Sequence, residues 1–111
     1  MAKNEKKFSV NVSKNAKNDL REIIRFIAIN NPMNALDVLK RIEARMNSLV
    51  KFHVKGGYVP ELLKHNIKDY RQLIEQPWKI IYKIENNIVN ILCIIDTRRN
   101  TQDLLVEKLV K

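Results

Sequence analysis

The sequence predicts an α+β fold made of an N-terminal strand, a two-helix hairpin, a three-stranded antiparallel meander and a short C-terminal helix. Three observations lead there. Apolar and polar residues alternate at 8–12. Two stretches between 16 and 49 repeat apolar residues at helical spacing. From 67 to 96 the period returns to two, broken only at Gln76-Pro77 and Asn86-Asn87.

Phe8, Val10 and Val12 alternate with Ser9 and Asn11, which marks a half-buried strand. Ser13 can cap the first helix, where Ala16, Leu20, Ile23, Ile24 and Ile27 form one stripe and Lys17, Arg21 and Arg25 lie on the other side. Asn30 and Asn31 interrupt it, and Pro32 suits the first turn of a second helix, whose early N–H groups have no partner anyway. That helix carries Ala35, Val38, Leu39, Ile42, Met46 and Leu49 against Lys40, Arg41 and Arg45. Periodicity fades over 51–68, where Gly56 and Gly57 mark a turn, so this stretch reads as a long and mobile connection.

Strands at 67–75, 78–85 and 88–96 follow, joined by turns short enough to force antiparallel pairing. A two-residue loop at Asn86-Asn87 would set Glu85 against Ile88, Lys83 against Asn90, Ile81 against Leu92 and Lys79 against Ile94. One face then holds Trp78, Ile80, Tyr82, Ile84, Val89, Ile91, Cys93 and Ile95, to be packed on the helices. The other mixes Lys79, Lys83, Asn90 and Asp96 with Ile81, Leu92 and Ile94, and needs a cover or a partner. A helix from about Thr101 could lay Leu104, Leu105 and Leu109 on that strip and remain detachable.

The 111 residues suit one domain over 1–111, with 1–7 expected to be flexible. Apolar residues are 45% of the chain and only 2 glycines and 3 prolines occur, which excludes a disordered chain or a loop-rich scaffold. Cys93, the single cysteine, lies in an apolar run and reads as a core residue. The charged start followed by no apolar stretch, and the lack of any long apolar run, predict a cytoplasmic protein without a membrane partner. A formal charge of +9 favours an anionic partner, either nucleic acid or an acidic protein segment.

Arg71, Lys79, Lys83, Arg98 and Arg99 are the candidate site cations, since strands that hold several cations near one surface can bind phosphate or carboxylate. The alternative is internal pairing, with Arg71 and Arg98 bound to Asp69, Glu75, Asp96 or Asp103. His53 and His65, near Glu61, are thin candidates for acid–base work. Tyr82 reads as packing beside Trp78. No metal-ligand spacing, phosphate loop or nucleophile elbow occurs, so neither a cofactor, a metal nor a small-molecule substrate is expected.

The run Tyr70-Arg71-Gln72-Leu73, then Pro77-Trp78-Lys79-Ile80-Ile81-Tyr82-Lys83-Ile84-Glu85, the apolar strand to Ile95, Asp96-Thr97-Arg98-Arg99-Asn100 and Asp103-Leu104-Leu105 resembles the C-terminal half of the ParE branch of the RelE/ParE toxin superfamily. Upstream, the strand, the two helices and the Gly57 and Pro60-Glu61-Leu62 segment are similar too, so the resemblance covers about residues 8–106. It implies a growth-inhibiting, plasmid-stabilising toxin neutralised by a cognate antitoxin. ParE-like members bind DNA gyrase, whereas RelE-like members cut messenger RNA in the ribosome. On the second reading Arg71, Lys79 and Arg98 would be catalytic. On the first, Arg71, Lys79, Ile81, Lys83, Leu92, Arg98 and Arg99 would contact target or antitoxin. Leu104 stands where a RelE-type tyrosine is expected and no histidine follows His65, which favours binding over cleavage; an inactive, nonspecific nucleic-acid binder is the third alternative.

Overall fold

A computed structural model describes residues 7–54 and 56–109; most of the expected flexible segment 1–7 lies outside the described residues. The elements run β1 (Ser9–Val12), α1 (Lys14–Asn30), α2 (Pro32–Phe52), β2 (Gly57–Tyr58), α3 (Pro60–Leu63), β3 (Arg71–Glu75), β4 (Trp78–Glu85), β5 (Ile88–Asp96) and α4 (Thr101–Leu109). The α+β expectation holds, with one sheet of five strands in the order β1-β5-β4-β3-β2. β3, β4 and β5 form the meander, and β1 lies parallel to β5 on its far side.

The helix boundaries follow from side chains that satisfy terminal N–H groups. Ser13 Oγ accepts the Ala16 N–H at 3.1 Å, and Asn31 Oδ1 accepts that of Asn34 at 3.0 Å, just ahead of Pro32. Both turn asparagines, Asn86 and Asn87, take positive φ (51° and 64°), as a tight two-residue hairpin requires. The expected strand at 67–75 begins only at Arg71. The connection over 51–68 is more ordered than expected, for it contains the end of α2, β2 and α3. Tyr82 explains part of that order. Its buried hydroxyl donates to the His53 carbonyl at 2.9 Å and accepts the Gly56 N–H at 3.0 Å, fastening the connection to β4.

The register of β4 on β5 differs from the expected one past its middle. Glu85↔Ile88, Lys83↔Asn90 and Tyr82↔Ile91 pair as expected, but Ile81 then faces Cys93 and Lys79 faces Ile95, leaving Leu92 as the extra residue of a bulge. The bulge turns the following side chains over. Ile94 therefore joins Ile80, Tyr82 and Trp78 beneath α1 and α2, while Cys93 and Ile95 join Ile81 on the opposite face under Val59, Leu62 and Leu105. The assignment of Cys93 and Ile95 to the helix-hairpin face, and of Ile94 to the mixed face, is thus corrected. The sheet is covered on both sides, with α4 packing Leu104, Leu105 and Leu109 where a cover was expected.

The bulge coincides with the point where β1 ends and α1 takes over the edge of β5. Ser13 Oγ donates to the Leu92 carbonyl at 3.1 Å, and Asp19 accepts the Ile94 N–H at 3.0 Å. Edge groups that β1 is too short to reach are thereby paired. Asp19 also forms an ion pair with Lys108, which ties α4 to the same place.

Candidate functional site

The predicted cations do not converge. Arg71 and Lys83 lie near one end of the meander but on opposite faces, because Arg71 pairs across from Tyr82 and Lys83 from Asn90. Asp96, from which the Arg98 turn departs, pairs with Trp78, four residues or about 13 Å along β4 from Tyr82. Rigid strands hold these groups apart.

Most are also engaged locally. Lys79 is only 6% exposed and its Nζ lies 2.8 and 2.9 Å from the two Glu61 carboxylate oxygens; Thr101 donates to the same carboxylate at 2.5 Å. Burial pushes the Glu61 pKa up, but the hydrogen bonds from Lys79 and Thr101 outweigh it and leave the carboxyl below its ordinary value. Arg71 donates to the Gly56 carbonyl at 2.7 Å and rests 5.1 Å from the Tyr58 ring centre. Lys83 is 3.7 Å from Glu85 and 5.7 Å from the Tyr70 ring centre. Ile81 is fully buried and Leu92 half-buried, so neither presents an open apolar strip while α4 is docked.

Arg98 and Arg99 face a different setting. They line a cleft of about 660 Å³ between the helix hairpin, the Gln76-Pro77 turn, the end of β5 and α4. Its apolar wall includes Phe26, Pro77, Trp78 and Ile94. Arg41, Arg98, Arg99 and Lys108 supply positive charge and Asp19, Glu22 and Asp96 negative charge. Arg98 grips Asp96 in two bonds, Nε to Oδ1 at 3.0 Å and Nη2 to Oδ2 at 2.8 Å, which holds the Asp96 carboxyl below its ordinary value and raises the Arg98 guanidinium. Arg99 is exposed and in no ion pair among the described residues. Beside the cleft, at the end of the hairpin, Phe26, Ile29 and Met33 are 74%, 75% and 77% exposed.

Sequence reasoning did not single out Phe26, Arg41, Asp19 or Lys108 for this cleft. They come from three helices, and each matches an ordinary helical pattern that gives no sign of the shared surface. His53 stacks on Phe8 with ring centres 3.6 Å apart, His65 lies on the surface beside α3 and α4, and neither lines the cleft. Burial pushes the Cys93 thiol up to about 12, so it stays protonated and inert at neutral pH. Among the described residues, no group of three or more His, Cys, Asp or Glu is placed to hold a metal ion, and no helix is long and apolar enough to cross a membrane.

Comparison with known proteins adds two findings. A family model described as the ParE toxin of the type II toxin-antitoxin system parDE matches residues 10–101. Among solved structures, a chain of a chromosomal ParDE TA system from P. aeruginosa aligns with a TM-score of 0.67 at 21% identity, over 80% of this chain and 95% of that one, a likeness of fold. No curated protein matches the sequence.

Proposed function

From its membership of the ParE toxin family of type II toxin-antitoxin systems, we propose that this protein arrests bacterial growth in the cytoplasm by binding a target, DNA gyrase, through the arginine-bearing cleft, and that a cognate antitoxin neutralises it. The observation that carries this reading is the make-up of that surface. Phe26 and Trp78 beside Arg98 and Arg99 form an aromatic and arginine cluster of the kind that dominates protein–protein contacts, and the exposed Ile29 and Met33 extend it. Water gains little from apolar side chains left three-quarters exposed, so a partner that buries them is favoured.

The scatter of the other cations supports binding over cleavage. A phosphoryl-transfer site needs several groups held around one reacting atom. Arg71, Lys79 and Arg98 are separated by the sheet and engaged with Gly56, Glu61 and Asp96. Controlled expression in bacteria tests the reading. Growth arrest should come with relaxed plasmid DNA and intact messages, and with relief when the antitoxin is co-expressed. Message cleavage at ribosomes with unchanged supercoiling would instead establish the ribonuclease alternative.

A further inference from the structure

Every cation of α1, namely Lys14, Lys17, Arg21 and Arg25, is exposed, and they follow one another at spacings of three, four and four residues as a single stripe down the helix. Both acids of the helix, Asp19 and Glu22, line the arginine cleft instead. The stripe cations take part in no ion pair among the described residues; Arg21 donates only to neutral Asn18, at 3.0 Å. Arg41, Arg45, Lys79, Lys83, Arg98 and Lys108, by contrast, all have carboxylate partners. Leu20 and Ile24, beside the stripe, pack against the core, so the cations stand on a rigid helix.

Cations at successive i,i+4 positions repel one another, and α1 has no acidic residue in its first turn to offset Lys14 and Lys17 beside the positive helix end. A row of anions relieves both. We infer that the stripe binds the phosphate backbone of duplex DNA, without reading its sequence. From Lys14 to Arg25 it rises about 16 Å along the helix axis. That is the length of about five base pairs at about 3.4 Å each, so the four cations meet a backbone charged at every step. Leu20, Ile24 and Leu39 are half-buried and leave little apolar area for the core of a protein interface. They include no aromatic ring on which an unpaired base could stack, which disfavours single strands. The major groove of B-form DNA, about 12 Å wide, admits a helix between its phosphates, whereas that of duplex RNA is deep and narrow. This surface is additional to the proposed target site and does not depend on it, since the cleft is lined by other residues of α1.

The test follows the fluorescence anisotropy of a labelled DNA duplex of about 20 base pairs and arbitrary sequence, titrated with the full chain over a range of salt. The logarithm of the affinity should fall against that of salt with a slope of about −3 to −4, as release of counterions from about four phosphates requires. Arg21→Ala with Arg25→Ala should weaken binding about tenfold or more and flatten the slope by about two, while Arg21→Lys with Arg25→Lys should keep the slope. Lys64→Ala with Lys68→Ala removes the same charge from exposed sites off the stripe and should leave both affinity and slope nearly unchanged. All four sites are exposed, so the variants keep the fold, which thermal melts check. Equal losses in the two alanine pairs would overturn the proposal, because net charge alone would then account for binding. So would the absence of duplex binding at low salt, tighter binding to the single strand or to duplex RNA, or equal affinity for an acidic helical peptide. The readout contains no gyrase, so its failure is separate from failure of the target reading.

Discussion

Glu61 holds the Lys79 ammonium between its two carboxylate oxygens, at 2.8 and 2.9 Å, joining the short α3 to the start of β4. Thr101, at the start of α4, donates to the same carboxylate, so one acid links three elements on the face away from the hairpin. A residue that looks like a site cation in the sequence therefore holds the fold together.

Removing the acid while keeping the buried ammonium should be costly. Glu61→Ala should lower stability by about 3 kcal/mol, and Glu61→Ala with Lys79→Met should recover much of it, because no unpaired charge then stays buried. Chemical denaturation of the three proteins measures this. A double variant no more stable than Glu61→Ala would contradict the structural role of Lys79.

The same acid gives stability a pH dependence of known sign. Its folded pKa is depressed below 4.5 by the Lys79 and Thr101 hydrogen bonds working against burial. Its contribution is present in full above about 4.5 and is lost as pH falls through the lower folded value. Denaturation midpoints below pH 4.5 should fall more steeply in the parent than in Glu61→Gln, and parallel curves would count against it.

Gly56 has no room for a side chain. A Cβ there would lie 2.4 Å from the Tyr82 hydroxyl and 2.5 Å from the Gln72 carbonyl. Gly56→Ala should destabilise by about 1–3 kcal/mol, and Tyr82→Phe by about 1–3 kcal/mol through loss of the bonds to His53 and Gly56. The two costs should add to less than their sum, since the phenylalanine removes one of the clashing atoms. Thermal melts of the single and double variants decide it.

Cys93 reports on α4. It is fully buried beside Leu105, its thiol raised to about 12, and the Asp19–Lys108 ion pair anchors the helix nearby. Native protein should react with a thiol reagent only slowly at neutral pH, and Lys108→Ala should speed the reaction several-fold by letting α4 open more often. Equal rates would mean that the ion pair does not hold the helix.

How far the sequence foretold this molecule depended on whether the determining signal was local. The bounds of β4 and β5 were legible because Gln76-Pro77 and Asn86-Asn87 punctuate them, and α1 and α2 because Ser13, Asn31 and Pro32 announce their starts. The bulge at Leu92 was hidden, since residues 91–95 are apolar throughout and a change of phase leaves no mark. β2 and α3, two and four residues long, are too short for any period to show. Of the site, Arg98 and Arg99 were legible as a pair, but the pairing of Lys79 with Glu61, eighteen residues away, and the meeting of Phe26, Arg41 and Lys108 at the cleft depend on tertiary packing.

Within the proposed target surface, Arg99 is exposed and in no ion pair among the described residues. Arg99→Glu should weaken target inhibition about tenfold or more while leaving the melting temperature close to that of the parent, whereas Lys83→Ala, outside the cleft, should leave inhibition nearly unchanged. Dose–response curves for the purified variants measure both.

Gyrase inhibition can be read by titrating the purified chain into a supercoiling reaction with bacterial gyrase, ATP and relaxed plasmid. Supercoiling should be lost in a dose-dependent way, and Arg99→Glu should shift that loss to higher concentration. Full supercoiling at a large molar excess of folded protein would contradict it.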